Sequence, residues 1–359
     1  MGQTVKAQER RPAIVERVPP PRASEAPAWA AAIFDRDGIR RAWLAGRPDL
    51  REASTVTMAT PFRWWSVTKI VTATAVLALA DRGQLDLEAP VSRYVPWFRP
   101  IPSGAPITTL HLLAHTSGLA SPSPLRWVHP PERDRRTPEQ LVRDTFERHK
   151  KLKCAPGERV LYTNLGYLLL GELVRRITRL SFAEHVRRAV LAPAGIASAG
   201  FEPRGAVGHE KLRSARSVVM AALFLPRTRR LVAYVRDGWI GLTQFEIEGQ
   251  AYGGLVGSLD DLVRIGRLHL GDGSIDGVRV LSSELARRMR EVHGSGEDGP
   301  TGLGLFHLDG GWVGHGGEAG GYRSELRFHP ERGVGVAVLA NSGSANVAEV
   351  AGALARLAR

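Results

Sequence analysis

The 359-residue sequence contains a single cysteine, Cys154, so no internal disulfide can form and nothing in the composition demands an oxidising compartment. Cys154 lies in the polar stretch KKLKCAPGERV, where no helical period places a base beside it, and is read as a bystander thiol. Long apolar runs are also missing. The run from Ile70 to Ala80 is broken by threonines and ends at Asp81, short of the roughly 18 residues a spanning helix needs. The first residues, MGQTVKAQERRPAIVERVPPPRASEAP, hold no uninterrupted apolar core of the kind a signal peptide has, which points to the cytoplasm. Lysine is scarce too, with six against 43 arginines.

The hydrophobic fraction of 43% and charged fraction of 24% are those of a globular protein and argue against wholesale disorder. The length suits about two domains at the usual ~150 residues each. A net charge of +13 and an isoelectric point near 10.6 raise nucleic-acid binding as a possibility. The basic clusters ERDRRTPE, HKKLK and PRTRR are dispersed and lack the interleaved aromatics of single-strand platforms, so no specific nucleic-acid partner is expected.

Residues 1–26 read as a disordered or surface tail. AWAAAIFDRDG and IRRAWLAGRPD read as strands joined at Asp37-Gly38, a hairpin dipeptide. A buried helix is expected from Ser66 to Arg82, stopped by Gly83. Thr137-Pro138-Glu139-Gln140 is a capping box opening a helix to about Arg148, and another helix should cover Gly166 to Arg176. Ser121 to Arg136, rich in proline and charge, reads as a surface loop. After Gly254 a helix opens at Ser258-Leu259-Asp260-Asp261. Short strands follow in LGLFHLD, GWVGHGG, YRSELRFH and VGVAVLAN, and an amphipathic helix runs from about Ala345. Strands at both ends with helices between them imply an α/β (α+β) fold in which one antiparallel sheet is built from both chain ends. The expected division is a sheet domain from 27–83 and 255–359, a mainly helical domain over 84–254, and an active site between them.

Three short patterns carry chemistry. Ser66-Val67-Thr68-Lys69 puts a hydroxyl and an amine at i and i+3 on one face of a helix start. Lysine can serve as base to the serine only if its pKa is lowered, and Trp64-Trp65 and Ile70-Val71 supply the desolvation. Composition alone gives roughly a third of one accidental match, so this pair needs support from elsewhere. Tyr162-Thr163-Asn164 points a phenol and an amide the same way from an extended segment. Gly314-His315-Gly316-Gly317-Glu318 places a histidine on a glycine-rich strand that a substrate backbone can approach. His111 and His115 have the i, i+4 spacing of zinc ligands but lack the following glutamate of such helices. No G-x-S-x-G elbow and no phosphate-binding G-x-x-x-x-G-K-[ST] loop is present.

The order of these patterns resembles the penicillin-recognising serine hydrolases, in the branch with class C β-lactamases, D-aminopeptidases and family VIII carboxylesterases. S-x-x-K, Y-x-N and H-x-G fall at Ser66, Tyr162 and His315. Further matches are Ile107-Thr108 through LHLLAHTSGL, AYGGLVGSLDDLVRIG (251–266) and RFHPERGVGVAVLAN (327–341), so the likeness spans about residues 28–358. The resemblance implies a β-lactamase-like fold with Ser66 as acylated nucleophile, Lys69 as its base or proton carrier, and Tyr162 serving acylation and leaving-group protonation. It also implies that Asn164 orients the substrate. His315, Gly316, Gly317 and Glu318 would then form the binding strand, with the amides of Ser66 and Glu318 as oxyanion hole. His315 stands where true β-lactamases carry the lysine of K-T-G, which favours esters over β-lactams. The expectation is a cofactor-free, metal-free esterase for small acyl esters. A D-amino-acid peptidase or weak β-lactamase is the alternative, and an inactive binding scaffold is the reading from a different class. The oligomeric state is not readable. Trp64, Trp65, Trp97 and Trp127 are candidates for an acyl pocket, half or more of them belonging to the core.

Overall fold

The computed structural model describes residues 13–101, 104–123, 127–129, 136–212 and 231–358. Its centre is a sheet with strands β1 (Ile14–Glu16), β2 (Ala28–Asp35), β3 (Ile39–Gly46), β4 (Phe306–Leu308), β5 (Trp312–Ala319), β6 (Tyr322–His329) and β7 (Val334–Ala340), in the order β1-β3-β2-β7-β6-β5-β4. Both chain ends therefore share one sheet. The junction is the antiparallel pair β2·β7, with Ala32 opposite Ala337.

The alternating pattern of β2 explains why this strand lies in the middle. Ala28, Ala30, Ala32 and Phe34 face one core, and Trp29, Ala31 and Ile33 face another. The first core is filled by helices α1 (Thr68–Asp81), α3 (Asn164–Thr178) and α4 (Leu259–Leu270); the second is covered by α5 (Val347–Leu357). Helix α2 (Pro138–Arg148) packs on α3. Helix α1 is buried on nearly every side from Thr68 to Leu79, so it runs through the core rather than along its surface.

The capping boxes form as the sequence dictates. The Thr137 side chain accepts from Gln140 N–H with Pro138 in the first turn, and Ser258 does the same with Asp261 at the start of α4. The hairpin turn falls at Asp37-Gly38, and the strands expected in the last sixty residues are β4 to β7.

The structure corrects the expectation in three places. The sheet is not wholly antiparallel, because β1 pairs parallel with β3. That strand lies within the expected tail and is held by Glu16, whose carboxylate accepts from Trp43 Nε1 at 3.0 Å and pairs with Arg41. Ser24 is also fixed, its amide donating to Asn346 Oδ1 at 2.7 Å; residues 1–12 lie outside the described residues. The middle stretch is not helix and loop alone, since 209–211, 232–236 and 239–242 form a three-stranded antiparallel sheet. Val232 and Val235 on its outer strand are exposed, and only the four-residue middle strand, with Trp239 and Gly241 buried, carries a period of two, too short to stand out in the sequence. In the expected 121–136 loop, Val128–His129 forms a short strand against Glu246–Ile247, while 124–126 and 130–135 lie outside the described residues.

Candidate active site

Ser66 sits in a single 3-10 turn, Trp65–Val67, that leads into α1. The turn brings the hydroxyl and Lys69 together: Lys69 Nζ lies 3.0 Å from Ser66 Oγ. Helix α3 starts at Asn164, whose Oδ1 accepts from Lys69 Nζ at 2.9 Å, and two residues earlier the Tyr162 hydroxyl donates to Ser66 Oγ at 2.7 Å. Strand β5 closes the group from the other side. Gly317 packs so tightly there that a Cβ on it would stand 2.2 Å from Trp64 O and 2.9 Å from Ser66 N. Ser324 Oγ, opposite Gly317 on β6, donates to Trp64 O at 2.7 Å and ties the serine turn to the sheet.

These residues line a cavity of about 450 Å³, with Ser66, Tyr162 and Asn164 on one wall and His315, Gly316, Gly317 and Glu318 on the other. Of the site residues expected from the sequence, only Lys69 is outside the lining, buried behind Ser66 at hydrogen-bond distance. Glu318 is exposed at the rim and pairs with Arg323 at 2.5 Å. A second cavity of about 490 Å³, between α2, α3 and residues 246–251, shares no residue with the first and contains none of this chemistry. Of the four tryptophans, Trp65 lines the active cavity. Trp64 is buried with its Nε1 donating to Gly257 O, Trp127 packs edge-on against Tyr252, and Trp97 packs near Phe146. Cys154 is half-buried and is not part of the cavity.

Lys69 is completely buried, and burial pushes its pKa well below the ordinary lysine value. Its three neighbours, Ser66 Oγ, Asn164 Oδ1 and Tyr252 O at 2.6 Å, match the three protons of an ammonium, which works against that shift. A neutral amine fits the same geometry. The carbonyl oxygens of Tyr252 and Asn164 can only accept, so they take its two N–H groups and leave the lone pair facing the Ser66 hydroxyl. We assign the neutral form, because no carboxylate pairs with Lys69 among the described residues to offset the cost of a buried charge. Ser66 then donates to the amine and accepts from Tyr162. Burial raises the Tyr162 pKa above that of a free phenol, so its proton stays in place.

His315 is buried, and burial pushes its pKa down to about 3, so the ring is neutral. Its Nδ1 lies 2.5 Å from Gly316 O and must carry the hydrogen, which leaves Nε2 bare of any partner among the described residues.

Sequence reasoning missed three contributors. The Tyr252 carbonyl is a main-chain group, which no residue pattern announces. Trp65 adopts φ +45°, a left-handed conformation that costs a bulky residue on the order of 1–3 kcal/mol and sets the angle of the serine turn. His111 and His115, set aside as a zinc pair, have no part in the site expected from the sequence. His111 Nδ1 caps its own helix by accepting from Thr108 N–H, while His115 turns inward against Tyr162.

The family described as Beta-lactamase matches residues 16–359. The chain belongs to the Beta-lactamase family. Penicillin-binding protein 4 of Amycolatopsis lactamdurans is 30% identical over 331 residues, covering 89% of this chain and 82% of that protein. Esterase EstB of Burkholderia gladioli is 36% identical over 193 residues, 48% of this chain and 46% of its own length. The octameric penicillin-binding protein homologue from Pyrococcus abyssi superposes with a TM-score of 0.74 at 24% identity, covering 92% of this chain and 73% of that one, a likeness of fold. This Beta-lactamase-family chain is a serine hydrolase, as the resemblance implied. No helix among the described residues is long and apolar enough to cross a membrane.

Proposed function

We propose that the chain hydrolyses small carboxylic esters through an acyl-enzyme on Ser66. The observation that carries this is the position of Ser66 Oγ between the Tyr162 hydroxyl at 2.7 Å and a fully buried Lys69 amine at 3.0 Å. Lys69 takes the serine proton as Oγ attacks the ester carbonyl carbon, and the charge on the carbonyl oxygen is met by the amides of Ser66 and Glu318. The tetrahedral species expels the alkoxide, which takes the Tyr162 proton, and the Lys69 ammonium restores it. Water then attacks the acyl carbon, giving a proton to Lys69, and Ser66 leaves with a proton returned to Oγ. Asn164 holds the amine in line and orients the acyl carbonyl. The cavity lies between the sheet domain and the 84–254 domain, a division supported by its lining, which draws Tyr162, Asn164 and Tyr252 from the second and the remaining residues from the first.

The preference for esters rests on His315. With its one N–H spent on Gly316 O, the neutral ring turns only an acceptor toward the cavity and has neither a donor nor a charge for the carboxylate that β-lactams and peptide C-termini carry. The test is intact-protein mass spectrometry after a fluorophosphonate, on wild type and Ser66→Ala, with turnover of p-nitrophenyl butyrate, nitrocefin and a D-Ala-D-Ala peptide. One adduct on Ser66 and fastest turnover of the ester are expected. Faster peptide or nitrocefin hydrolysis replaces the ester by those substrates, and no adduct with no turnover makes the chain an inactive scaffold.

A further inference from the structure

His115 does not line the active cavity, yet it touches the residues on both sides of Tyr162. Its carbonyl oxygen accepts from Leu161 N–H at 2.8 Å, and its ring Nδ1 accepts from Thr163 N–H at 3.2 Å. Alternate amides of an extended segment point to one side, so a single residue offering two acceptors can hold both. Between those bonds the imidazole packs on the Tyr162 ring with centroids 4.5 Å apart, while its other neighbours are Tyr167 at 5.0 Å and Phe306 at 6.4 Å. The grip requires an unusual backbone. His115 has φ +60°, and its flanks are fixed by Thr301 Oγ1 donating to Ala114 O at 2.8 Å and by Thr116 N–H donating to His111 O.

We propose that His115 is a positioning residue for Tyr162, clamping the main chain at 161 and 163 so that the phenol stays aimed at Ser66 Oγ. The inference rests on the proposed role of Tyr162. The clamp works only with an uncharged ring, because a protonated Nδ1 cannot accept from Thr163. Complete burial keeps the proton off. The hydrogen therefore sits on Nε2, which finds no partner among the described residues. Leaving that donor unpaired in the core is a cost a purely structural histidine has no reason to carry, since leucine would fill the same space.

The test compares H115N with H115L. The asparagine Oδ1 takes the place of Nδ1 and the residue tolerates positive φ; leucine keeps the volume and loses the acceptor. If the leucine variant does not fold, H115A replaces it. Hydrogen exchange at the Thr163 amide reads the clamp directly, and kcat and KM for ethyl butyrate, whose alkoxide leaving group needs the Tyr162 proton, read its consequence. H115L should lose protection at Thr163 and about 10- to 100-fold in kcat with KM within about 2-fold, and H115N should keep the protection and most of kcat. In a Tyr162→Phe background H115L should cost no further activity, since the group it positions is gone. Equal losses in H115N and H115L, an undiminished loss in the Tyr162→Phe background, or free exchange at Thr163 with unchanged kcat overturns the proposal. A wild type that neither turns over esters nor labels at Ser66 defeats the hydrolase reading instead, and Thr163 exchange still decides whether the clamp exists.

Discussion

The main-chain oxygen of Tyr252 lies 2.6 Å from Lys69 Nζ, closer than either Ser66 Oγ or Asn164 Oδ1. A carbonyl cannot donate, so it consumes one N–H of the amine and turns the lone pair toward the serine. In the proposed mechanism the active form is the uncharged one. With the Lys69 pKa depressed by burial, activity should rise as pH passes upward through that value, placing the acid limb of kcat/KM below the free-lysine range near 10.5. Lys69→Arg, charged throughout, should lose at least about 10²-fold at every pH between 5 and 10. An arginine variant with near-normal turnover rules out lysine as base.

Tyr162 keeps its proton to high pH because burial raises its pKa, so no loss of activity should trace to its ionisation below pH 10. In the proposed mechanism it protonates a departing alkoxide. Tyr162→Phe should then lower kcat by about 10²-fold for ethyl butyrate and clearly less for p-nitrophenyl butyrate, whose leaving group needs no proton. The ratio of the two losses is the measurement, and equal losses would assign the phenol to another step.

Neighbouring glycines of β5 should respond differently to alanine. At Gly317 a methyl meets Trp64 O at 2.2 Å and Ser66 N at 2.9 Å, both main-chain atoms, so the strand must move away from the serine turn. At Gly316 the one tight contact is the Glu325 carboxylate, at 2.8 Å, the end of a side chain, and the main-chain Ser324 O stands at an ordinary 3.9 Å. Gly317→Ala should cost about 10²-fold or more in kcat by displacing the oxyanion amides, and Gly316→Ala less than about 10-fold. Steady-state kinetics on the two variants distinguishes a backbone limit from a general intolerance of the strand.

His269 is buried with Nε2 3.1 Å from Thr74 Oγ1, and burial together with Arg290 lowers its pKa to about 3. Thr74 spends its own hydrogen on Ile70 O, so Nε2 carries the ring proton and Nδ1 is bare. The folded value lies below the unfolded one of about 6.5, so the unfolded chain gains a proton first and stability falls as pH drops from 6.5 toward 3. Between pH 7 and 4 this amounts to roughly 3 kcal/mol. His269→Leu should remove about that much of the acid sensitivity, read as the difference in urea midpoints at the two pH values.

Much of this architecture is written locally. The Thr137 and Ser258 caps, the Asp37-Gly38 turn and the apolar strands β2 and β7 each depend on residues a few positions apart, and each forms where the sequence places it. The site is legible in the same way, because Ser66, Lys69, Tyr162, Asn164 and His315 carry unusual side chains in short patterns. What escapes is set by distant partners. Strand β1 exists because Glu16 finds Trp43, and in the small sheet at 209–242 a period of two shows only in the four residues of its middle strand. The left-handed turns at Trp65 and His115 follow from the packing around them, not from residue type.

Because β2 joins β7, the middle of the sheet cannot close until the chain has been made almost to its C-terminus. On the order of 300 residues separate the two partners, and at roughly 5–20 residues per second that is a wait of about 15–60 s. Through that interval the alanine-rich β2 hairpin stands on the ribosome with an open, apolar edge. Slowing translation of the last strands should therefore send more of this enzyme into aggregates than slowing its middle.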